Sequence, residues 1–343
     1  MPARPLPAPS PLRVLEARRV RAAGVPGVRY RLHRGHAYTG DADLDDLFST
    51  FEAVVLPPPD GRRESAVVTL LNGITKGLDR SVPAGAALAR SGVGAVLFDT
   101  PLGGSRRIAG GPPGNDFAEV ARRGLAVDVP LVSRVFGGVA ADLPAVFDLA
   151  RDGHGMTGPR ALYGVSFGCL LSSLAFARDG VGERLFGAIG HPDLPAMSRG
   201  LVSAFARFSG LPPPLIAGGL RLGPVAEAAA RRYGGDGAVG ALRFARALAA
   251  LGRGGRALDT FDPVRFADDV PASRPTRFLA GERDPVAPPE AVRAAASAFA
   301  SSSVDVLPAL GHGWYVGAKP PGAPTFERAT ADWLVRELAD WAA

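Results

Sequence analysis

The chain has 343 residues, 47% of them hydrophobic, with 44 glycines and 32 prolines. This length permits two domains, and it also fits one α/β domain that carries an inserted cap. The net charge is +6, and only two of the 39 basic residues are lysines, Lys76 and Lys319. We attribute this skew to coding composition, because a nucleic-acid surface would interleave basic and aromatic residues, and this sequence does not.

The sequence also bears on the compartment and the partners of the protein. No apolar run reaches the 18–20 residues, roughly, that a membrane helix needs. Residues 1–11 are proline-rich and lack the apolar core of a secretory signal. A single cysteine, Cys169, excludes an internal disulfide and fits a reducing compartment. We therefore expect a soluble, cytoplasmic protein with a small-molecule partner and no membrane span, and its oligomeric state stays open.

The first elements in the chain predict strands. Residues 1–12 are expected to be a loose leader, and Val28–Leu32 alternates apolar and polar side chains as a half-buried strand does. Phe51–Leu56 is a second strand candidate, and Ala66–Leu71 is an almost continuous apolar run, typical of a strand buried on both faces. Residues 1–50 are interpreted as a leader with extra strands.

Helices and strands then alternate. Helices are predicted at Pro83–Arg90, Leu131–Ala150, Ala291–Ala300 and Phe326–Ala342, with a kink or break at Pro144. Strands are predicted at Gly94–Phe98, Arg160–Tyr163, Leu185–Ile189, Thr276–Ala280 and Val304–Leu307. Such alternation indicates a mostly parallel sheet that is covered by helices on both faces.

One segment, residues 196–257, interrupts this alternation. It has no clear strand signal, and it contains nine arginines against two acids, Glu227 and Asp236. An insertion here would form a lid over an active site, and its arginines would attract an anionic substrate. The alternative, which we favour, is that the arginines form a solvated face.

The run Leu162–Leu170 carries the strongest chemical signal. It reads as a short strand, then Gly164-Val165-Ser166-Phe167-Gly168, then a helix. A serine at such a turn is exposed on a strained bend, where its oxygen can attack a carbonyl carbon. Phe167 begins the helix, so its N–H points toward the same space. The alternative is an ordinary loop serine between two glycines.

A serine nucleophile needs a base, and the chain has five histidines. His312 follows the last predicted strand and has glycines on both sides, so it is our candidate. His191 starts the loop after the strand Leu185–Ile189 and is expected to line the pocket. His33 and His36 are interpreted as surface residues, and His154 lies in a glycine-rich turn.

The acid that orients the base is expected after a core strand and before the histidine. Asp284 meets this condition, and its spacing of 28 residues from His312 is enough for one helix and one strand. Asp193 is the rival carboxylate. Glu282 lies closer to the end of its strand and is less favoured.

The loop after Ala66–Leu71 is expected to supply the second oxyanion donor beside Phe167. The N–H of Ile74 is the first choice and that of Thr75 the second. Asn72, Thr75, His191 and Trp314 are expected to contact the substrate.

These residues resemble the α/β-hydrolase superfamily in their chain order, Ser166, Asp284, His312. The resemblance covers residues 50–343, roughly, and the spacing is similar to that of bacterial esterases and dienelactone-hydrolase-like enzymes. It implies an eight-stranded, mostly parallel sheet, with the nucleophile after strand five and a helical cap after strand six. The core would be residues 51–195 and 258–343, with 196–257 as the cap. Asn72-Gly73 stands where the family often has His-Gly.

The sequence therefore predicts a serine hydrolase that cleaves a carboxylic ester through an acyl-enzyme. A thioesterase or an amidase could use the same three residues, and a non-catalytic binding protein could use the same fold. No metal-binding or phosphate-loop motif is present in the sequence, so no cofactor is expected.

Overall fold

A computed structural model gives the structure of the chain. It describes residues 10–73, 76–108, 120, 123, 125, 128–209, 225, 227–228, 231–232, 239, 242–243, 246, 249–253, 255, 258–312 and 324–339. The strands are β1 (Arg13–Ala22), β2 (Val25–His33), β3 (Thr50–Leu56), β4 (Val67–Leu71), β5 (Gly94–Phe98), β6 (Arg160–Val165), β7 (Arg184–Ala188), β8 (Thr276–Gly281) and β9 (Ser302–Leu307). The helices are α1 (Ala42–Ser49), α2 (Val82–Arg90), α3 (Val129–His154), α4 (Phe167–Arg178), α5 (Leu194–Ser209), α6 (Pro289–Ala296) and α7 (Phe326–Glu337).

The nine strands form one sheet in the order β1-β2-β3-β5-β4-β6-β7-β8-β9. The strands from β5 to β9 in this order pair in parallel, whereas β1, β2 and β3 join the sheet through antiparallel pairs. The predicted number of eight strands is wrong by one, because the strand β1 adds to the edge. Without β1, the serine follows the fifth strand, as the resemblance implies.

Helices cover both faces of this sheet. Helices α3, α4 and α6 bury their apolar side chains against one face, and α2 and α7 bury theirs against the other. Strands β4 and β5 are buried along their whole length. Their continuous apolar sequences reflect this burial, since neither face meets water.

The outermost described strand, β1, differs from the core strands. Eight of its ten residues are exposed, among them Arg13, Arg18, Arg19 and Arg21. Its exposure explains why no apolar pattern marks it in the sequence. Residues 13–33 nevertheless belong to the same sheet as β3.

Helix α3 corrects another prediction. The sequence analysis expected a kink or break at Pro144; there is no break, since one helix runs from Val129 through Pro144 to His154. Apolar residues on both sides of the proline, among them Val139, Leu143 and Phe147, are buried in the core. This burial stabilises the helix across a position at which one backbone hydrogen bond is missing.

Helix α3 is also, within the described residues, the one helix whose length and apolar composition would allow it to cross a bilayer. Core helices of globular proteins pass the same test, and 47% of its most apolar window is buried in the fold.

A buried ion pair joins helix α3 to the rest of the fold. Arg106 and Asp142 have no exposed side-chain surface, and Nη2 of Arg106 lies 2.8 Å from Oδ2 of Asp142. The Tyr38 hydroxyl donates to the same oxygen (3.0 Å), and the Arg106 guanidinium lies 3.9 Å from the centre of the Phe51 ring. Removing one partner would leave an uncompensated charge in the core.

We expect Asp142→Asn to lower the free energy of unfolding by about 3–5 kcal/mol, because it leaves the Arg106 charge buried and unpaired. Urea denaturation of both proteins measures the change. Asp148→Asn on the same helix is the matched control, since its ion pair with Arg151 is about half exposed and such pairs contribute about 0–1 kcal/mol. Equal losses in the two variants would contradict this account.

Candidate functional site

The turn between β6 and α4 places Ser166 in a strained conformation. Its φ of 53° and ψ of −114° lie in a region that residues other than glycine rarely adopt. Such a conformation costs about 1–3 kcal/mol and persists only where the surrounding structure holds it. The turn directs Oγ of Ser166 toward the loops that follow the parallel strands.

Close packing holds this turn in place. A Cβ atom on Gly164 would overlap the carbonyl of Gly168, and one on Gly168 would lie 2.5 Å from the carbonyl oxygen of Leu71. A Cβ atom on Gly190 would lie 2.7 Å from the carbonyl oxygen of Ser166. Three glycines therefore let the start of α4 approach the ends of β4, β6 and β7.

The structure brings Ser166, His312 and Asp284 together. Oγ of Ser166 lies 2.7 Å from Nε2 of His312, and Nδ1 of His312 lies 2.9 Å from Oδ2 of Asp284. The backbone N–H groups of Val286 and Ala287 donate to Oδ1 of Asp284 at 2.8 and 3.0 Å. These bonds fix a carboxylate that is 3% exposed and aim it at the imidazole.

The two rival acids have other partners. Oδ1 of Asp193 accepts a hydrogen bond from the N–H of Ala196 in the first turn of α5 (2.8 Å). Oε2 of Glu282 accepts one from the N–H of Ala309, three residues before His312 (2.8 Å). Glu282 therefore holds the loop that carries the histidine.

Cys169, in the first turn of α4, faces the sheet. Its side chain is fully buried, and burial raises the pKa of its thiol to about 12. A thiol with such a pKa is unreactive at neutral pH.

The loop after β4 approaches the serine through Gly73. A Cβ atom on Gly73 would lie 3.5 Å from Cβ of Ser166. Asn72 is buried, donates to the carbonyl of Gly77 (3.0 Å) and accepts from the hydroxyl of Ser81 (2.8 Å). Its side chain thus braces the loop that we expect to hold the oxyanion donor. Ile74, Thr75 and Trp314 lie outside the described residues.

Asp99 links this loop to the one that follows β5. Its Oδ1 accepts from the N–H of Leu78 (2.7 Å), and its Oδ2 accepts from the N–H and the hydroxyl of Ser105 (2.8 and 2.7 Å). Burial raises the pKa of Asp99 above its usual value. Sequence reasoning did not find this link, because it depends on contacts between two loops.

His191 is completely buried. Burial lowers the pKa of its imidazole to about 4, against the smaller opposite effects of Asp193 and Asp284. Nδ1 accepts from the N–H of Asp193 (3.3 Å), so the neutral ring carries its proton on Nε2, which has no partner among the described residues. It is absent from the lining of the cavity beside Ser166, so the structure does not place it where the sequence analysis expected.

The other histidines also have defined surroundings. The interpretation of His33 and His36 as surface residues is wrong, because both are half-buried and both ring nitrogens of His36 are buried. His33 contacts the hydroxyl of Thr50 (3.1 Å), and His154 contacts that of Tyr30 (2.8 Å).

A cavity of about 360 Å³ opens beside Ser166 and His312. Asn72 and Gly73 contribute to its wall, as the sequence analysis expected of Asn72. Its other lining residues, which sequence reasoning missed, include Lys76, Arg80, Ile189, Leu201, Phe326 and Glu327. The sequence contained one indication for Ile189, namely its position at the end of a predicted core strand. In the structure its φ is 45°, which is unusual for a β-branched residue.

A second, apolar cavity of about 40 Å³ has Phe167 in its wall. Leu170, Leu194 and Leu201 belong to its wall, so Leu201 of α5 touches both cavities. Three arginines of the segment 196–257 form contacts within that segment. Arg199 donates to the carbonyl of Gly252 (2.6 Å), and Arg243 and Arg246 pair with Glu227 at 2.9 and 2.6 Å.

No protein-family model matches the sequence, and no curated protein is significantly similar to it. Acetyl xylan esterase 1 from Thermoanaerobacterium is similar in structure, with a TM-score of 0.56 at 17% identity over 96% of this chain and 88% of its own. TT1662 from Thermus thermophilus has a TM-score of 0.52 at 17% identity, over 96% of this chain and 98% of its own. An esterase from an Arctic intertidal metagenomic library has a TM-score of 0.51 at 15% identity, over 94% and 97%.

The strand order and these neighbours define the class of the protein. The chain has the α/β-hydrolase fold, with one additional strand at the edge of its sheet. This confirms the fold that the resemblance implied.

We expect Gly168→Ala to destabilise the protein by at least about 2 kcal/mol, because the added methyl group overlaps backbone carbonyls that cannot move aside. Gly137→Ala is the matched control, since a Cβ atom at this position of helix α3 meets open space. The control is expected to stabilise the helix by up to about 1 kcal/mol. Urea denaturation measures both, and a tolerated Gly168→Ala would contradict the packing described here.

Acid should weaken the fold through His191. In the unfolded chain the pKa of His191 is 6.5, so its imidazole binds a proton at a higher pH than in the folded protein, where its pKa is about 4. This group therefore lowers the free energy of unfolding as the pH falls from about 6.5 to 4, by about 3 kcal/mol in all. Asp262, whose pKa burial raises to about 6, acts in the opposite direction.

A variant that lacks the imidazole separates the contribution of His191 from that of Asp262. Urea denaturation at several pH values between 7 and 4, with the wild type and His191→Gln, isolates the histidine as the difference between the two curves. Parallel curves would show that His191 is not the group responsible.

Proposed function

We propose that the protein is a serine hydrolase that cleaves carboxylic esters through an acyl-enzyme. The observation that carries the proposal is the continuous hydrogen-bonded chain from Ser166 through His312 to Asp284, with the serine on a strained turn beside a cavity. The fold is shared with proteins whose names describe esterases, which supports the same reaction class.

In this proposal Oγ of Ser166 attacks the carbonyl carbon of the ester while Nε2 of His312 takes the hydroxyl proton. The carbon–oxygen double bond becomes a single bond, and the negative charge collects on the former carbonyl oxygen. The N–H of Phe167, at the positive end of helix α4, faces that charge. By its position in the sequence, Ile74 is the second donor.

Asp284 keeps the imidazole in the tautomer that leaves Nε2 free to accept a proton, and it stabilises the imidazolium that forms. The two backbone N–H groups that bind Oδ1 hold the carboxylate in place throughout. His312 then gives its proton to the leaving alcohol oxygen as the ester bond breaks. In the second half, His312 deprotonates a water that attacks the acyl carbon, and the histidine then returns this proton to Oγ of Ser166 as the acyl–oxygen bond breaks and the acid leaves.

The remaining predictions from the sequence are part of this proposal. We propose a core of residues 51–195 and 258–343, a cap at 196–257, and a small-molecule ester as substrate. The cytoplasmic location stays a prediction.

Hydrolysis of p-nitrophenyl acetate and butyrate tests the reaction. We expect Ser166→Ala to lower kcat by at least about 10³-fold, and His312→Gln and Asp284→Asn by about 10²- to 10⁴-fold, since the three groups act as a unit. Mass spectrometry of the protein treated with a fluorophosphonate should place the label on Ser166.

Ser173→Ala is the matched control, because Ser173 lies on the same helix α4, is buried, and contacts Cys169 rather than His312. Its activity should stay within about twofold of the wild type. Turnover that survives in Ser166→Ala, or a label on another residue, would refute the proposed nucleophile.

A further inference from the structure

The cavity beside Ser166 has an uneven distribution of charge. Its wall combines apolar side chains of Val165, Ile189 and Leu201 with polar groups from the loop 72–81 and from helix α7. Most of these polar groups already have partners inside the protein. The side chains of Asn72 and Ser81 bind each other, and the Thr330 hydroxyl donates to the carbonyl of Phe326 (2.9 Å).

The charges of the side chains in the cavity wall do not sum to zero. Arg80 pairs with Glu327, with Nη1 2.7 Å from Oε1. Lys76 is exposed, and its ammonium group has no acidic partner among the described residues. Apart from His312, the described wall of the cavity therefore carries one uncompensated positive charge, at Lys76.

The backbone of Lys76 is held close to the nucleophile. Its N–H donates to the carbonyl of Gly73 (3.2 Å), the residue that packs against Ser166. On its other side, a Cβ atom on Gly103 would lie 2.5 Å from the carbonyl oxygen of Lys76. Lys76 therefore lines the cavity from a backbone that is anchored on both sides, and its side chain is exposed.

The identity of the residue is informative as well. Basic positions in this chain are almost all arginine, and both Arg106 and Arg80 form an ion pair with a carboxylate of the protein. An ammonium group on a flexible stem is instead a compact point charge that adapts to a ligand. A small anionic group on the substrate would complete its coordination.

From these observations we propose that the ester substrate carries an anionic group, a carboxylate or a phosphate, and that Lys76 binds it beside Ser166. This inference rests on the proposed ester hydrolysis and names the class of ester. Arg80 is expected to contribute less, because Glu327 already neutralises it.

Matched pairs of esters that differ in one charge test the inference. Mono-p-nitrophenyl adipate and its methyl ester place the charge on the acid side of the scissile bond. 4-Acetoxybenzoate and its methyl ester place it on the alcohol side, and 4-acetoxyphenyl phosphate replaces the carboxylate with a phosphate. We expect kcat/KM for the charged member of at least one pair to exceed that of the neutral member by about fivefold or more. The preferred charged ester shows whether the anion lies on the acid or the alcohol side of the scissile bond, and whether it is a carboxylate or a phosphate.

Variants assign the preference to Lys76. Lys76→Met keeps most of the stem and should reduce the ratio of charged to neutral kcat/KM to about one, whereas Lys76→Arg should retain most of it. Arg336→Met, an exposed arginine of helix α7 outside the cavity wall, removes the same net charge and should leave the ratio unchanged. Raising the salt concentration should lower the ratio, since exposed charge pairs are screened.

Two results would overturn the inference. Equal rates within every pair would show that no anion is recognised, and a preference that survives in Lys76→Met would assign it elsewhere. If no ester is hydrolysed at all, the proposed function fails, and calorimetry with Ser166→Ala tests Lys76 separately. Monomethyl adipate should then bind more tightly than dimethyl adipate, and the difference should vanish in Ser166→Ala/Lys76→Met; the absence of any difference would reject the site.

Discussion

The site depends on one backbone constraint, the sharp turn at which β6 ends and α4 begins. Ser166 adopts a positive φ there, and the close approach of backbone at Gly164, Gly168 and Gly190 leaves the turn no room to relax. The strain costs about 1–3 kcal/mol, which the packed ends of three strands offset. Because the turn is rigid, it holds the oxygen of Ser166 within hydrogen-bond distance of Nε2 of His312.

The parallel sheet explains why distant segments of the chain meet at this turn. The carboxyl ends of β4, β6, β7, β8 and β9 lie along one edge of the sheet, so the loops that follow them converge. Gly73, Ser166, Ile189, Asp284 and His312 each follow a different one of these strands. The core strands therefore act as a fixed frame, and the loops determine the chemistry of the site.

The sequence predicted the elements that are buried and missed those that depend on contacts between them. Continuous apolar runs marked β4 and β5, whereas β1 is almost fully exposed and left no pattern. Pro144 signalled a break that tertiary packing of α3 overrides. The three residues of the Ser166 chain followed from their order and spacing, but the cavity wall did not, because Lys76 and Leu201 come together only after folding. For the same reason the complete burial of His191 could not be foreseen.

The exposed edge of the sheet has a consequence for how copies of this protein meet in solution. An edge strand offers unpaired backbone groups, which in many proteins recruit a strand from another molecule and begin aggregation. Strand β1 carries four arginines over ten residues. Two copies approaching along this edge would bring eight guanidinium groups together, and their mutual repulsion opposes the continuous intermolecular sheet that ten residues of open strand would otherwise invite.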